Sequence, residues 1–272
     1  MTDRYAVIGN PIAHSRSPEI HAEFAREFGI QIQYERLLAP LTGFAETADA
    51  FRISGASGAN VTLPFKRDAF DYANERTARA NRLRSVNTLS FESNKIVGDN
   101  TDGVGLCRDI ICNLGQRLQG ARILLIGAGG AARGVVGALL DCRPEILAIT
   151  NRTHAKAETI VDEIGVGSLF RAIDFAALQA RSFDVLINAT SASLTESLPP
   201  LPIPCFAQNS LAYDMMYGNG MTPFLALAAS TGARTADGLG MLVEQAAEAF
   251  YVWRGIRPST GLVIDRMKKT AS

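Results

Sequence analysis

The chain has 272 residues, 47% of them hydrophobic, and its 27 lysines and arginines are balanced by 27 aspartates and glutamates. That length fits two modest domains or one large one, and the balance leaves no field to recruit nucleic acid or an anionic membrane. No apolar run is long enough to span a bilayer, and Met1-Thr2-Asp3-Arg4 leads straight into a strand signal rather than a signal peptide.

Tyr5-Ala6-Val7-Ile8 reads as a first strand, closed by a Gly9-Asn10-Pro11 turn. In His14-Ser15-Arg16-Ser17-Pro18 the proline suits a first helical position, which makes Ser17 the natural N-cap. The helix that follows carries an Ile20, Phe24, Phe28 stripe and stops at Gly29. Capping accounts for Ser17 without a ligand, whereas Ser15 and Ser17 together, beside a helix start, could hold a small carboxylate. His14 and His21 read as structural or exposed. Tyr34–Leu38 predicts a second strand, and Phe44, Ala48 and Phe51 mark the next helix. Gly55 and Gly58 open a third strand, Ala59-Asn60-Val61-Thr62-Leu63, which Pro64 ends. Lys66 then falls beyond the carboxyl end of a strand, where reactive groups collect in open α/β sheets. By itself, a lysine on a turn is usually just solvated. Val86-Asn87-Thr88-Leu89 is a further strand signal. In Gly98-Asp99-Asn100-Thr101-Asp102-Gly103, either Thr101 or Asp102 suits the cap of a helix running from Gly103 through Leu114.

Ile123-Leu124-Leu125-Ile126 suits a strand buried on both faces of a parallel sheet. A GxGxxA sequence follows at once, Gly127-Ala128-Gly129-Gly130-Ala131-Ala132. Gly127 allows the tight turn, Gly129 the approach of a pyrophosphate and Ala132 close helix–strand packing, with the first N–H groups of a helix facing the anion. Ile146–Thr150 is the next strand, after a helix-length segment from Arg133 to Cys142. At its end, where an acid would bind the ribose hydroxyls of NAD, the chain reads Asn151-Arg152-Thr153. An arginine there favours the 2′-phosphate of NADP, gripped through two parallel bonds, with Lys156 adding a second charge. The plain alternative is a pair of solvated surface cations. Asp184–Asn188 is another buried strand, and Leu242, Ala246, Ala249, Phe250 and Trp253 form a helical stripe broad enough to need a partner surface. Cys107, Cys112, Cys142 and Cys205 have neither CxxC nor zinc-ligand spacing, which fits thiols in a reducing cytoplasm and no metal site.

Taken together, His14-Ser15-Arg16-Ser17-Pro18, Asn60-Val61-Thr62-Leu63-Pro64-Phe65-Lys66, Val86-Asn87-Thr88 and Gly98–Gly103 resemble the substrate-domain motifs of the shikimate dehydrogenase family, in its order and spacing. Gly127–Arg133, Asn151-Arg152-Thr153, Asn188-Ala189-Thr190-Ser191, Tyr213–Tyr217 and Ala236–Gln245 resemble its cofactor half, so the likeness covers nearly the whole chain. It implies an α/β fold of two domains: a substrate domain over 1–101 plus 240–272 and a Rossmann-like NADP-binding domain over 102–239, with a cleft between them.

The resemblance further implies reversible reduction of 3-dehydroshikimate to shikimate by NADP(H), a step of aromatic amino-acid (chorismate) biosynthesis. It makes Lys66 the acid–base group and Asp102 its partner. Ser15, Ser17 and Tyr217 match the family's carboxylate contacts. Asn60, Thr62, Asn87, Asp102 and Gln245 match its polyol contacts, although turn and cap hydrogen bonds, or a solvated helix face for Gln245, would also account for such residues. Gly127, Ala128, Gly129, Gly130, Ala131, Asn151, Arg152, Thr153 and Lys156 fall on the coenzyme's phosphates and ribose. Thr190, Met215, Gly238 and Met241 fall around its nicotinamide, although Met215 also suits plain core filling. A small-molecule substrate, and a monomer or homodimer, are the implied partners. Two rivals remain, an NAD-using quinate/shikimate dehydrogenase paralogue and an NADP-binding regulatory module without catalysis. Family members commonly carry Gly-Ala where this chain has Arg84-Ser85, and a glycine after Thr190-Ser191 where it has Ala192-Ser193-Leu194.

Overall fold

The computed structural model describes residues 2–165, 167–190, 199–218 and 220–270; Ser191 and the Ala192-Ser193-Leu194 departure lie outside them. The chain divides into two compact units, residues 1–105 with 243–263 and residues 106–242 with 264–272.

The first unit holds, in chain order, β1 (Asp3–Gly9), α1 (Ser17–Glu27), β2 (Ile32–Leu38), α2 (Phe44–Ile53), β3 (Gly58–Val61), α3 (Lys66–Tyr72), β4 (Glu75–Arg76), α4 (Ala78–Leu83), β5 (Thr88–Phe91), β6 (Ile96–Asp99) and the start of α5 (Asp102–Arg108). Its sheet has the order β2-β1-β3-β5-β6-β4. β1 lies parallel to β2 and β3, while β5 runs antiparallel to both β3 and β6. The reason is local. Only four residues, 92–95, join β5 to β6, and a parallel return needs a crossover of a dozen or more. Glu92 and Lys95 close that hairpin with reciprocal backbone bonds of 2.9 and 3.3 Å. β4, α4 and β6 carried no signal strong enough to predict. The core on one face gathers Ile8, Phe44, Phe51, Val61, Phe65, Val86 and Leu89.

In the second unit α5 widens into a π-helical turn at Asp109–Asn113, where the sequence predicts a plain helix to Leu114. There follow β7 (Arg122–Ile126), α6 (Gly130–Asp141), β8 (Ile146–Thr150), α7 (His154–Ile164), β9 (Phe170–Ala172), β10 (Phe183–Asn188), β11 (Phe206–Asp214), α8 (Pro223–Ser230) and β12 (Arg234–Ala236). The strands stack in the order β12-β11-β10-β7-β8-β9, every pair parallel. That is a doubly wound sheet whose order reverses between β7 and β10, where such folds bind dinucleotides. Ile123–Leu125, Leu147–Ile149 and Val185–Ile187 are fully buried, as expected for central parallel strands covered on both faces.

The chain ends with α9 (Leu239–Arg254) and α10 (Gly261–Thr270). From Val243 onward α9 belongs to the first unit and finds there the surface its apolar stripe requires. Trp253 stacks on Tyr5 at 4.4 Å and donates from its indole nitrogen to Leu89 O at 3.1 Å, while Phe250 meets Phe24 edge-on at 5.9 Å. Gly58 permits this approach, since a Cβ there would lie 2.6 Å from both Leu89 O and the Trp253 nitrogen. No helix among the described residues is long and apolar enough to cross a membrane.

Candidate active site

In the first unit β1, β3 and β6 all run the same way, so the segments after their carboxyl ends emerge along one edge of the sheet. Antiparallel β5 starts at that same edge. Ser15 and Ser17 follow β1, Lys66 follows β3, Asn87 precedes β5 and Asp102 follows β6. Sheet geometry alone therefore gathers residues spread over almost ninety positions.

Lys66 Nζ donates to Asp102 Oδ2 at 2.5 Å, with side-chain exposures of only 25% and 11%. The other carboxylate oxygen accepts from Asn87 Nδ2 at 2.8 Å. Asp102 is the first residue of α5 rather than a residue preceding it, and its carboxylate faces Lys66 and Asn87. Thr101 turns its hydroxyl to Asn87 and, at 3.5 Å, to Gln245 Oε1. The expected helix cap at Thr101 or Asp102 thus gives way to a side-chain network.

Ser17 also departs from the predicted cap. α1 begins at Ser17 itself, Arg16 is the N-cap, and no side chain caps the helix. The Ser17 hydroxyl instead accepts from that of Ser15 at 3.2 Å, which pairs the two hydroxyls. Asn60 has both amide hydrogens engaged, by Asn87 O and Thr88 Oγ1 at 3.2 Å each, so toward a ligand it offers only an acceptor. Tyr34, which sequence reasoning missed, donates to Asn60 Oδ1 at 2.6 Å. Burial pushes the Tyr34 phenol well up, so it keeps the proton it donates. Thr62 is half-buried beside β3, and its hydroxyl makes no hydrogen bond among the described residues. His14 is exposed, whereas His21 is fully buried and stacks on Tyr34 at 4.4 Å with neither ring nitrogen bonded.

Arg84 and Ser85, the departure from the family pattern, sit beside this network. Arg84 ends α4 in the left-handed region with φ 48° and ψ 41°. Ser85 accepts from Asn100 Nδ2 through its carbonyl at 3.1 Å and its hydroxyl at 3.3 Å.

The second unit builds a glycine-rich cradle where β7 meets α6. Gly127 takes φ 107°, which a side chain would strain, and a Cβ there would press on Thr190 Cγ2 at 2.9 Å. Gly129 and Gly130 are exposed, and a Cβ on either would meet nothing within 4 Å, leaving open space before the first turn of α6. That turn spans Gly130 and Ala131, with buried Ala128 just before it. Those open N–H groups suit a pyrophosphate. Beyond β8, Asn151 donates to Thr153 O at 2.9 Å, and Arg152 and Lys156 are exposed, with no ion pair among the described residues. A cationic pair left unengaged beside a phosphate cradle fits a phosphorylated ribose.

The residues expected near the nicotinamide are also brought together. Thr190 donates to Asn188 Oδ1 at 2.7 Å, Met215 N donates to Asn188 O at 2.9 Å, and Gly238 lies so close that a Cβ would sit 2.2 Å from Met215 O. Met241 N donates to the Tyr213 hydroxyl at 3.2 Å, which in turn donates to buried Asp109 at 2.6 Å. Asp109 and Tyr213 were not singled out, because neither the burial of an acid nor a π turn inside a helix leaves a mark in the sequence. Tyr217 is an exposed residue of the second unit, beyond β11.

Three family models match the chain: a shikimate dehydrogenase substrate binding domain over residues 7–89, a shikimate/quinate 5-dehydrogenase over 110–196, and a shikimate 5′-dehydrogenase C-terminal domain over 238–268. A shikimate dehydrogenase (NADP(+)) of Chromobacterium violaceum is 53% identical over 270 residues, 99% of either chain. An Ael1 enzyme from Pseudomonas putida has a solved structure with TM-score 0.93 at 49% identity, covering 97% of this chain and 98% of that one. A shikimate 5-dehydrogenase from Thermus thermophilus, solved in complex with NADP(H) and shikimate, gives TM-score 0.89 at 31% identity over 98% and 99%. With its two α/β units and a match along nearly its whole length, the chain belongs to the shikimate dehydrogenase family.

Proposed function

We propose that the chain is an NADP-dependent dehydrogenase that interconverts 3-dehydroshikimate and shikimate, a step of chorismate and aromatic amino-acid biosynthesis. The observation that carries this is the 2.5 Å contact between Lys66 and Asp102 in a network of amides and hydroxyls. Held by the Gly127–Ala131 cradle with Arg152 and Lys156, NADPH would supply the hydride for the ketone carbon. The chain supplies the rest. Lys66, held by Asp102, donates a proton to the ketone oxygen as the alcohol forms and withdraws it in the reverse direction. Before transfer, the ammonium offsets negative charge growing on that oxygen.

In this reading the first unit binds substrate. Ser15 and Ser17 take the carboxylate, and Asn60, Thr62, Asn87, Asp102 and Gln245 take the hydroxyls, with Asn60 limited to accepting. The second unit binds coenzyme, with Gly127–Ala131 at the pyrophosphate, Asn151–Thr153 and Lys156 at the 2′-phosphate, and Thr190, Met215, Gly238 and Met241 at the nicotinamide. Four free cysteines agree with a reducing cytoplasm, and the protein works as a monomer or homodimer on a small-molecule substrate.

The test is a four-way assay of shikimate and quinate, each with NADP+ and NAD+, following nicotinamide reduction. Turnover of shikimate with NADP+ above the other three pairs is expected. Preference for NAD+ or quinate would point to the paralogue, and coenzyme binding without turnover to a regulatory module.

A further inference from the structure

One run of hydrogen bonds in the first unit points a single way. Tyr34 donates to Asn60 Oδ1 at 2.6 Å, Asn60 Nδ2 to Thr88 Oγ1 at 3.2 Å, Thr88 Oγ1 to Asn87 Oδ1 at 2.9 Å, and Asn87 Nδ2 to Asp102 Oδ1 at 2.8 Å. Two backbone groups set this direction. The Asn87 carbonyl can only accept, so it takes Asn60 Nδ2 at 3.2 Å and leaves Asn60 Oδ1 to Tyr34. The Thr101 N–H can only donate, so it takes Asn87 Oδ1 at 2.9 Å and leaves Asn87 Nδ2 to the carboxylate. Between two amides so oriented, the side chain at position 88 must accept on one side and donate on the other. A hydroxyl does both. Thr88 is 1% exposed and Asn87 2%, so water does not take over either bond.

We propose that Thr88 and Tyr34 are positioning residues for the Lys66–Asp102 couple, acting through this aligned chain. The inference rests on the acid–base reading of that couple given above. Bonds aligned head to tail polarise one another, and the last of them holds Asp102 Oδ1 while Oδ2 stays with Lys66. Removing the Thr88 hydroxyl would strand one amide hydrogen of Asn60 and take from Asn87 Oδ1 one of its donors, which loosens the amide that holds Asp102 although the Thr101 N–H still sets its direction. Tyr34 terminates the chain, and without its hydroxyl Asn60 Oδ1 loses the donor that completes its orientation.

The test compares Thr88→Val, Thr88→Ser, Tyr34→Phe and Lys66→Ala in the full chain, by steady-state kinetics with shikimate and NADP+ and by thermal unfolding. Thr88→Val is expected to lower kcat about tenfold and Tyr34→Phe about threefold, with the KM for NADP+ within about twofold, and Thr88→Ser to restore most of kcat. An unchanged kcat in Thr88→Val, or a loss of stability that serine rescues without recovery of kcat, overturns the proposal. Should Thr88→Val fail to fold, Tyr34→Phe decides, because it keeps the ring stacked on His21 and removes only the donor. Lys66→Ala separates the two levels. Full activity there defeats the acid–base reading itself, whereas an inactive Lys66→Ala beside a fully active Thr88→Val defeats the positioning role alone.

Discussion

Arg79 and Glu248, 169 residues apart in the chain, meet at 2.8 Å inside the first unit. The same guanidinium forks onto both oxygens of Asp99 at 2.6 Å each, and Arg257 holds the other Glu248 oxygen. Asp99 ends β6, three residues before Asp102, and Glu248 lies one turn beyond Gln245 on α9. One cation therefore ties the strand leading to the candidate acid–base couple to the helix carrying a candidate substrate ligand.

Because Asp99 and Glu248 are 5% and 7% exposed, removing their shared partner leaves carboxylates poorly hydrated. Arg79→Leu should lower unfolding stability by about 3 kcal/mol, read from urea midpoints, and should also raise the KM for shikimate. The stability loss should shrink in acid. Burial works to raise the Glu248 carboxyl, but Arg257 and Arg79 outweigh it and hold it below its ordinary value. Its contribution is then complete above the unfolded carboxylate range, about pH 4.5, and is lost as pH falls through the lower folded value.

Lys66→Ala should reduce kcat far more than it raises the KM for shikimate, because the ammonium acts where charge develops on the oxygen. At least a hundredfold loss of kcat is expected, given the ~10²–10⁴ that a positioned acid–base group contributes. A variant with intact kcat and a raised KM would make Lys66 a binding residue.

Arg152 is exposed and forms no ion pair among the described residues, so replacing it disturbs nothing structural that would confuse the result. Arg152→Ala should cost about 1.5–3 kcal/mol of preference for NADP+ over NAD+, roughly ten- to a hundredfold in the ratio of kcat/KM. Equal ratios in variant and parent would remove Arg152 from the 2′-phosphate site.

Burial drives the His21 imidazole down to about 3, with the neighbouring Asn60 side chain offsetting only part of the shift. The unfolded chain binds this proton near pH 6.5, and the folded chain does not until about pH 3. The unfolded state therefore holds more protons across that window, and stability falls as pH drops, by up to ~1.4 kcal/mol per pH unit from this group. His21→Phe should flatten the slope between about pH 6.5 and 5, where ordinary carboxylates stay charged. Equal slopes in variant and parent would exclude the buried imidazole as the source.

Arg84 occupies a left-handed conformation that costs an ordinary residue about 1 kcal/mol. Arg84→Gly should relieve it and raise stability by about 0.5 kcal/mol after the added freedom of the unfolded chain is counted. Thermal unfolding reads the change. A lower Tm would show that the Arg84 side chain contributes more than its backbone costs.

The sequence by itself determined the elements with strong periodic or aliphatic signals: the central strands, the glycine turn at Gly127, the apolar stripe of α9, and the residue types that mark the two half-sites. Local pattern suffices there, because strand and helix periods and the glycine turn are properties of neighbouring residues. Local pattern also offered caps at Ser17 and at Thr101 or Asp102, which the structure does not form, since a polar residue at a helix start satisfies the capping rule whatever its side chain meets across the fold. Tertiary structure alone decided that β5 runs antiparallel, that Asn60 has no amide hydrogen to spare, and that Tyr34, Thr88, Arg79 and Glu248 join the network. Those facts depend on which donor faces which acceptor between strands and helices far apart in the chain, and such pairings leave no periodicity in the sequence.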